Sequence, residues 1–211
     1  MKELLKTYRI ETSRFVIRPY RIEDAPLLQT AITESLVHLK PYMKWAWEEP
    51  ETSIEKENRI RTMRGNYDLG SDYTMGIFNK FETKLIGSTG FHNRVGSGAL
   101  EVGYWTHVDF IRQGICTEVV KALCDVAFRI EPVEYLVIKC EPNNKGSARV
   151  AESCGFTLRE ILKETATDVF GKTCDMMHWE LTREEFLKQP SASTSVAAFD
   201  LAGRHLTERK N

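Results

Sequence analysis

The stretch from Leu100 to Ile130 constrains this chain more than any other. Leu100-Glu-Val-Gly-Tyr-Trp105 is apolar, aromatic and β-branched, and predicts a strand. Val119, Leu123, Val126, Ala127 and Ile130 recur at helical spacing, so a helix is expected to begin near Ile115. The turn between them is Arg112-Gln-Gly-Ile-Cys-Thr117. A strand that runs into a helix through such a turn leaves backbone N–H groups unpaired at the positive end of the helix dipole, and that arrangement binds phosphate or pyrophosphate. Gly114 lets the backbone approach an anion closely, and it is equally the residue an ordinary strand-to-helix turn would use. Tyr135-Leu-Val-Ile-Lys-Cys140 follows as a short apolar run, the expected partner strand of a βαβ unit.

Length and charge then narrow the class. A chain of 211 residues suffices for one ample core, read here as a domain over 1–188. Residues 189–211, opening on Gln189-Pro-Ser-Ala-Ser-Thr-Ser195, are expected to form a mobile or weakly helical tail. A net charge of −1 gives no general pull toward nucleic acid. No apolar run is long enough to span a membrane, and the first residues do not form a signal peptide. The cysteines number five with no CxxC pair, which argues against a disulfide framework and for a reducing, cytoplasmic setting. The histidines at 38, 92, 107, 178 and 205 show no metal-ligand spacing, so no metal is expected. Neither Gly-Lys-Ser/Thr nor Gly-x-Gly-x-x-Gly is present, which sets aside a P-loop and a dinucleotide fold.

The turn at Arg112 to Thr117, with Gly-Tyr-Trp-Thr-His-Val-Asp-Phe before it, resembles the pyrophosphate-binding motif of the GNAT N-acetyltransferases, and within them the ribosomal-protein branch of the RimJ/RimL type. Ile111 and Cys116 depart from the usual residues of that motif; both are tolerable where backbone amides do the binding. A second match is Pro142-Asn-Asn-Lys-Gly-Ser147 followed by a helix that ends at Gly155-Phe156. A third is His38-Leu-Lys-Pro-Tyr-Met-Lys-Trp-Ala-Trp47, similar to the loop lining the acceptor side in that branch. The likeness runs over roughly residues 10 to 182. It implies a mixed α/β fold, with a central mixed sheet of about seven strands flanked by about four helices.

The resemblance also implies roles. Acetyl-CoA is the implied cofactor, held by Arg112, Gln113, Gly114, Ile115, Cys116 and Thr117 at the diphosphate. Backbone groups from Tyr104 to Thr106 would pair the pantetheine like an added strand, and Asn144 would contact the cofactor, although an N-cap alone would also explain it. Glu101 is the expected base, directly or through water; the alternative is a strand glutamate in a cross-strand pair. Ser147 is expected to hold or protonate the leaving thiolate, or merely to cap its helix. Tyr42, Trp45, Trp47 and Glu48 combine aromatic faces with a carboxylate, which suits a cationic amine; core anchoring is the plainer account of the tryptophans.

The acceptor is expected to be an α-amino group of a ribosomal-type protein or a small aminoacyl-like compound. An α-amine has a pKa near 8 and a lysine near 10.4, so neutralising the lysine at pH 7 costs roughly 3 kcal/mol more. A detoxifying acetyltransferase acting on an antibiotic, peptide toxin or polyamine is the alternative enzyme, and a CoA-binding module without turnover is the alternative of another class. Similar proteins are commonly dimers, so a homodimer is among the expectations.

Overall fold

The computed structural model describes residues 5–189 and 196–207. The strands are β1 (Arg9–Glu11), β2 (Phe15–Pro19), β3 (Asp72–Asn79), β4 (Leu85–His92), β5 (Ala99–Thr106), β6 (Tyr135–Cys140), β7 (Thr157–Thr167), β8 (Thr173–Thr182), β9 (Ala197–Phe199) and β10 (His205–Leu206). The α-helices are α1 (Ala25–Leu39), α2 (Ser53–Asp68), α3 (Ile115–Arg129), α4 (Lys145–Ser153) and α5 (Arg183–Lys188). Among the described residues the strands form one sheet in the order β10-β9-β1-β2-β3-β4-β5-β6-β8-β7. Every neighbouring pair is antiparallel except β5 and β6, which α3 joins by a crossover.

The mixed α/β class is as expected, and the seven strands from β2 to β8 follow the sequence reading closely. Three more were not foreseen: β1, only three residues with charged ends, and β9 and β10. Residues 197–206, expected as a short helix at most, instead extend the sheet: Ile10 is paired with Ala198, and Ala198 is almost wholly buried. Most of the linker at 189–195 lies outside the described residues. The fifth helix, α5, also went unforeseen; Thr182 and Glu185 form its capping box.

Local rules set most helix ends. Thr52 and Glu55 form a capping box at the start of α2. Asp24 precedes α1 but does not cap it: its carboxylate takes two hydrogen bonds from the Arg18 guanidinium, at 2.7 and 3.0 Å, and one from the Arg21 N–H. Arg18 also reaches Glu82 at 2.5 Å, so a buried arginine ties β2 to the β3–β4 turn.

The two sheet faces differ, and the difference positions the site. Side chains alternate along a strand. Tyr73, Met75 and Ile77 of β3, Phe91 of β4, and Leu100 and Val102 of β5 point to one face, where α3 packs. That helix is apolar on nearly every side: Val119, Val120, Ala122, Leu123, Val126, Ala127 and Phe128 are all fully buried, as a helix between a sheet and other helices must be. The opposite face carries Asp72, Thr74 and Gly76, then Ser88, Gly90 and His92, then Glu101, Gly103 and Trp105. At its β2 end it is covered by α1 and α2 through Leu28, Ala31, Ile32 and Ile60. Its other end opens into a cleft.

Candidate active site

The cleft begins where two parallel strands part. Ladder pairing between β5 and β6 stops at Glu101↔Val137, although β5 runs on to Thr106 and β6 to Cys140. The phase of the β4–β5 ladder shows which backbone groups this leaves unpaired. The His107 N–H donates to the Ile86 carbonyl at 2.8 Å, and antiparallel pairs alternate, so Glu101, Gly103 and Trp105 spend their backbone groups on β4. Val102, Tyr104 and Thr106 therefore turn N–H and C=O toward the gap. An extended ligand laid there can bond to the main chain as an added strand.

The gap leads into a cleft of about 1260 Å³, lined at one end by Arg112, Gly114, Ile115, Cys116 and Thr117. Gly114 is left-handed at φ +73° and begins α3, whose first turn has no side-chain cap. Among the described residues, no atom lies within 4 Å of a Cβ built on Gly114. Arg112 is also left-handed, at φ +59°, a conformation that costs a non-glycine residue about 1 kcal/mol or more. The two residues bend the chain so that the N–H groups at the start of α3 open on the cleft, a concavity suited to a diphosphate. Gln113 does not line the cleft: its side chain donates to the Asp109 carbonyl and its own carbonyl accepts from Arg14. Arg14 and Glu118 brace this turn. Glu118 accepts from Arg14 Nε and Thr12 Oγ1, each at 2.6 Å, and so fastens the β1–β2 hairpin to α3.

Cys116 Sγ lies 2.7 Å from Thr106 Oγ1, and burial raises its pKa. It is a small packed thiol beside the turn, kept un-ionised by burial against the opposing effect of its hydroxyl partner. Tyr104 Oη lies 3.0 Å from Ser147 Oγ; burial pushes the phenol well above its ordinary range, so the two hydroxyls stay neutral donors. Asn144 caps α4 by accepting the Ser147 N–H at 3.1 Å, and it lines the cleft as well.

Glu101 also lines the cleft, with Lys139 at 3.4 Å and Arg94 at 3.6 Å. On the acceptor side the loop after α1 divides. Tyr42 and Trp45 line the cleft, with Trp45 packed against Trp105 at 6.1 Å. Trp47 and Glu48 do not. The Trp47 indole donates to the Lys40 carbonyl and the ring packs on Phe170, while Glu48 is exposed, 3.8 Å from Arg59. Residues 44–47 form a tight 3₁₀ turn, which sends Trp45 and Trp47 to different sides. Glu49 and Glu51 serve structure: both hold the fully buried Lys56, and Glu51 also holds Arg59.

The structure adds a cluster the spacing of the histidines did not suggest. Ligand atoms of Glu34, His107 and Asp109 lie within 4.8 Å of one another. His107 Nδ1 accepts the Asp109 N–H, which places the proton on Nε2, where it bonds Glu34 at 2.7 Å. Hydrogen bonds alone account for that convergence. No helix among the described residues is long and apolar enough to cross a membrane.

Known proteins share this fold. Among solved structures, a ribosomal L7/L12 α-N-protein acetyltransferase, RimL, in complex with coenzyme A superposes with a TM-score of 0.73 at 20% identity, covering 85% of this chain and 98% of that one. The Microcin C7 self-immunity acetyltransferase MccE, in complex with acetyl-CoA and AMP, gives 0.74 at 21% identity, covering 81% and 93%. Among curated sequences, a putative ribosomal N-acetyltransferase, YdaF of Bacillus subtilis, is 26% identical over 172 residues, 81% of this chain and 92% of that protein. The uncharacterized N-acetyltransferase YjdG of Bacillus subtilis is 29% identical over 104 residues, and the match spans 49% of this chain and 55% of that protein. The model of the acetyltransferase (GNAT) domain matches residues 14–157, well over half of the chain. This chain therefore belongs to the GNAT acetyltransferase family and is an acetyltransferase by that membership.

Proposed function

We propose that this protein transfers an acetyl group from acetyl-CoA directly to the α-amino group of a ribosomal-type protein or of a small aminoacyl-like compound. The observation that carries the reading is the gap between β5 and β6 leading to the uncapped first turn of α3 at Gly114. The residues fit the cofactor: main-chain donors and acceptors along Val102 to Thr106 for its amides, and the turn from Arg112 to Thr117 for its diphosphate. Bound acetyl-CoA supplies the acetyl group as an activated thioester.

The chain's own residues do the rest. N–H groups of Val102 and Tyr104 face the gap and stabilise negative charge that develops there. Ser147, backed by the Tyr104 hydroxyl, donates to a departing sulfur. Glu101 draws a cationic amine into the cleft, where a base must relieve it of a proton before it attacks. Tyr42 and Trp45 offer aromatic faces to that cation. Cationic lysine acceptors are disfavoured by the roughly 3 kcal/mol that separates their deprotonation from that of an α-amine.

A second reading, acetylation of a small-molecule amine such as an antibiotic, peptide toxin or polyamine, draws support from the breadth of the cleft and from the likeness to MccE. Thiol release from acetyl-CoA, run with peptides bearing ribosomal-protein N-termini against a panel of small amines, tests both readings, and mass spectrometry locates the added acetyl group. Turnover with the peptides alone supports the first. Binding of CoA without thiol release from any amine would overturn both in favour of a binding module.

A further inference from the structure

Of one polar row on the open face of the sheet, the reading above uses only Glu101. Asp72 of β3, His92 of β4 and Glu101 of β5 stand in register on three adjacent strands, and Lys139 of β6 completes the row through Glu101. His92 Nδ1 lies 2.6 Å from Asp72 Oδ1, and Thr74 Oγ1 donates to the other Asp72 oxygen at 2.9 Å. A carboxylate at Nδ1 fixes the tautomer: the proton sits on Nδ1, and Nε2 carries a free lone pair. Among the described residues Nε2 has no hydrogen-bond partner, and the ring lines the cleft. The residue beneath it is a glycine. A Cβ on Gly103 would lie 2.8 Å from His92 Nε2, so the bare backbone there is what lets the imidazole lie over β5. Gly103 stands between Val102 and Tyr104, whose N–H groups turn toward the gap.

From this geometry we infer that His92, oriented by Asp72, is the catalytic base that receives the proton of the acceptor amine, while Glu101 gathers and orients the ammonium. The inference rests on the acetyl-transfer reading and deepens it. The gathered ammonium first gives up one proton to solvent; as the neutral amine nitrogen then bonds the acetyl carbon, an N–H bond breaks and its proton passes to the His92 Nε2 lone pair, the C–S bond breaks, and coenzyme A leaves as the thiolate, which regains a proton from solvent beside Ser147; Asp72 stays ionised and stabilises the imidazolium. Glu101 is less suited to the task, because Lys139 and Arg94 already hold its carboxylate at 3.4 and 3.6 Å. His92 Nε2, by contrast, has no hydrogen-bond partner among the described residues. Asp72 and Glu101 flank His92 from β3 and β5, Arg94 follows it on its own segment, and Lys139 acts through Glu101. His38 of α1 and Arg59 of α2 line the same cleft, Arg59 already bound to Glu51. The Asp72 pKa fits: burial alone would raise it, and the His92 and Thr74 hydrogen bonds bring it net below the usual carboxylate value.

The test is the pH profile of kcat/KM for thiol release in the wild type and in His92→Gln, Asp72→Asn and Glu101→Gln, with CoA affinity measured by calorimetry on each. The expected result is a loss of about 100-fold or more in kcat for His92→Gln, with CoA affinity kept and the acid limb of the profile gone. Asp72→Asn removes the anion that favours the imidazolium, so its acid limb moves to lower pH and kcat falls. Glu101→Gln is expected to raise the acceptor KM and keep the limb. Should His92→Gln fold poorly, the direction of the limb in Asp72→Asn decides alone, an unmoved limb counting against the inference. A His92→Gln enzyme that keeps turnover and its acid limb overturns the inference, as does a limb lost only in Glu101→Gln. Failure of the underlying reading is distinct: the wild type would then release no thiol with any amine.

Discussion

Replacing Gly114 by alanine separates anion binding from fold maintenance. Gly114 sits at φ +73°, where a Cβ costs about 1–2 kcal/mol. No described atom lies within 4 Å of that Cβ, so strain alone sets the loss of stability. For a chain of this size each kcal/mol lowers Tm by about 2–4 °C, giving a drop of about 2–8 °C. The methyl group enters the open space at the start of α3, where a diphosphate must approach the N–H groups. Loss of one charge-assisted hydrogen bond, about 1.5–3 kcal/mol, weakens CoA binding about 10- to 150-fold. Gly203 is the matched control: it is left-handed at φ +76°, has no described atom within 4 Å of a built Cβ, and lies in the turn between β9 and β10, outside the cleft lining. Gly203→Ala is expected to lose similar stability and keep its CoA affinity. Calorimetric titration with CoA and scanning calorimetry read the two quantities. A Gly114→Ala protein that matches Gly203→Ala in Tm and binds CoA as the wild type does would refute placement of the diphosphate at this turn.

Three further outcomes follow from the packing. Arg18→Met leaves the buried Asp24 carboxylate without its partner and should cost about 3–5 kcal/mol in urea unfolding, where a surface pair would cost under about 1. Stability should fall on acidification: Glu51, bonded first by Arg59, and Glu82, lowered by Arg18 and Arg9 against the opposing effect of burial, both titrate below the usual carboxylate value in the folded state. Their contribution is complete above the unfolded value near 4.3 and is lost as pH drops through the lower folded values, so the urea midpoint should decline below about pH 4 and decline less in Arg59→Gln. Truncation after Gln189 tests the domain limit read from the sequence: it strips β9 from β1 and uncovers Ile10, so we expect a loss of about 1–3 kcal/mol and concentration-dependent association in light scattering, whereas an unchanged Tm would restore 1–188 as a self-sufficient domain.

What the sequence disclosed was what lies close together along it. Strand, turn and helix from Leu100 to Arg129 are contiguous, and their hydrophobic periods and Gly114 are local signals; the same holds for Asn144 capping α4. The tail misled because Ala197, Ala198 and Leu201 favour a helix, while the free edge of β1 offered pairing that outweighed propensity. The acceptor loop misleads through composition: aromatic and acidic residues share one segment, yet one 3₁₀ turn puts Trp45 inside and Trp47 outside, and Lys56 and Arg59 claim Glu49 and Glu51.

His92 was out of reach for a different reason. A search along β5 for a base finds only Glu101, because the histidine belongs to β4 and its partner to β3, twenty residues earlier in the chain. Their meeting depends on the register of the β3–β4 hairpin, including an irregularity at Ile77/Phe78 that shifts β3 against β4. A one-residue slip would turn His92 onto the α3 face, into the apolar core. The glycines at 90 and 103, which weaken β4 and β5 as amphipathic patterns, belong to the same face and are where the backbone is left bare beneath the cleft. Substituting Gly103 with alanine should therefore displace the imidazole and leave Asp72 in place, a structural displacement that the sequence pattern alone could not have tied to the histidine.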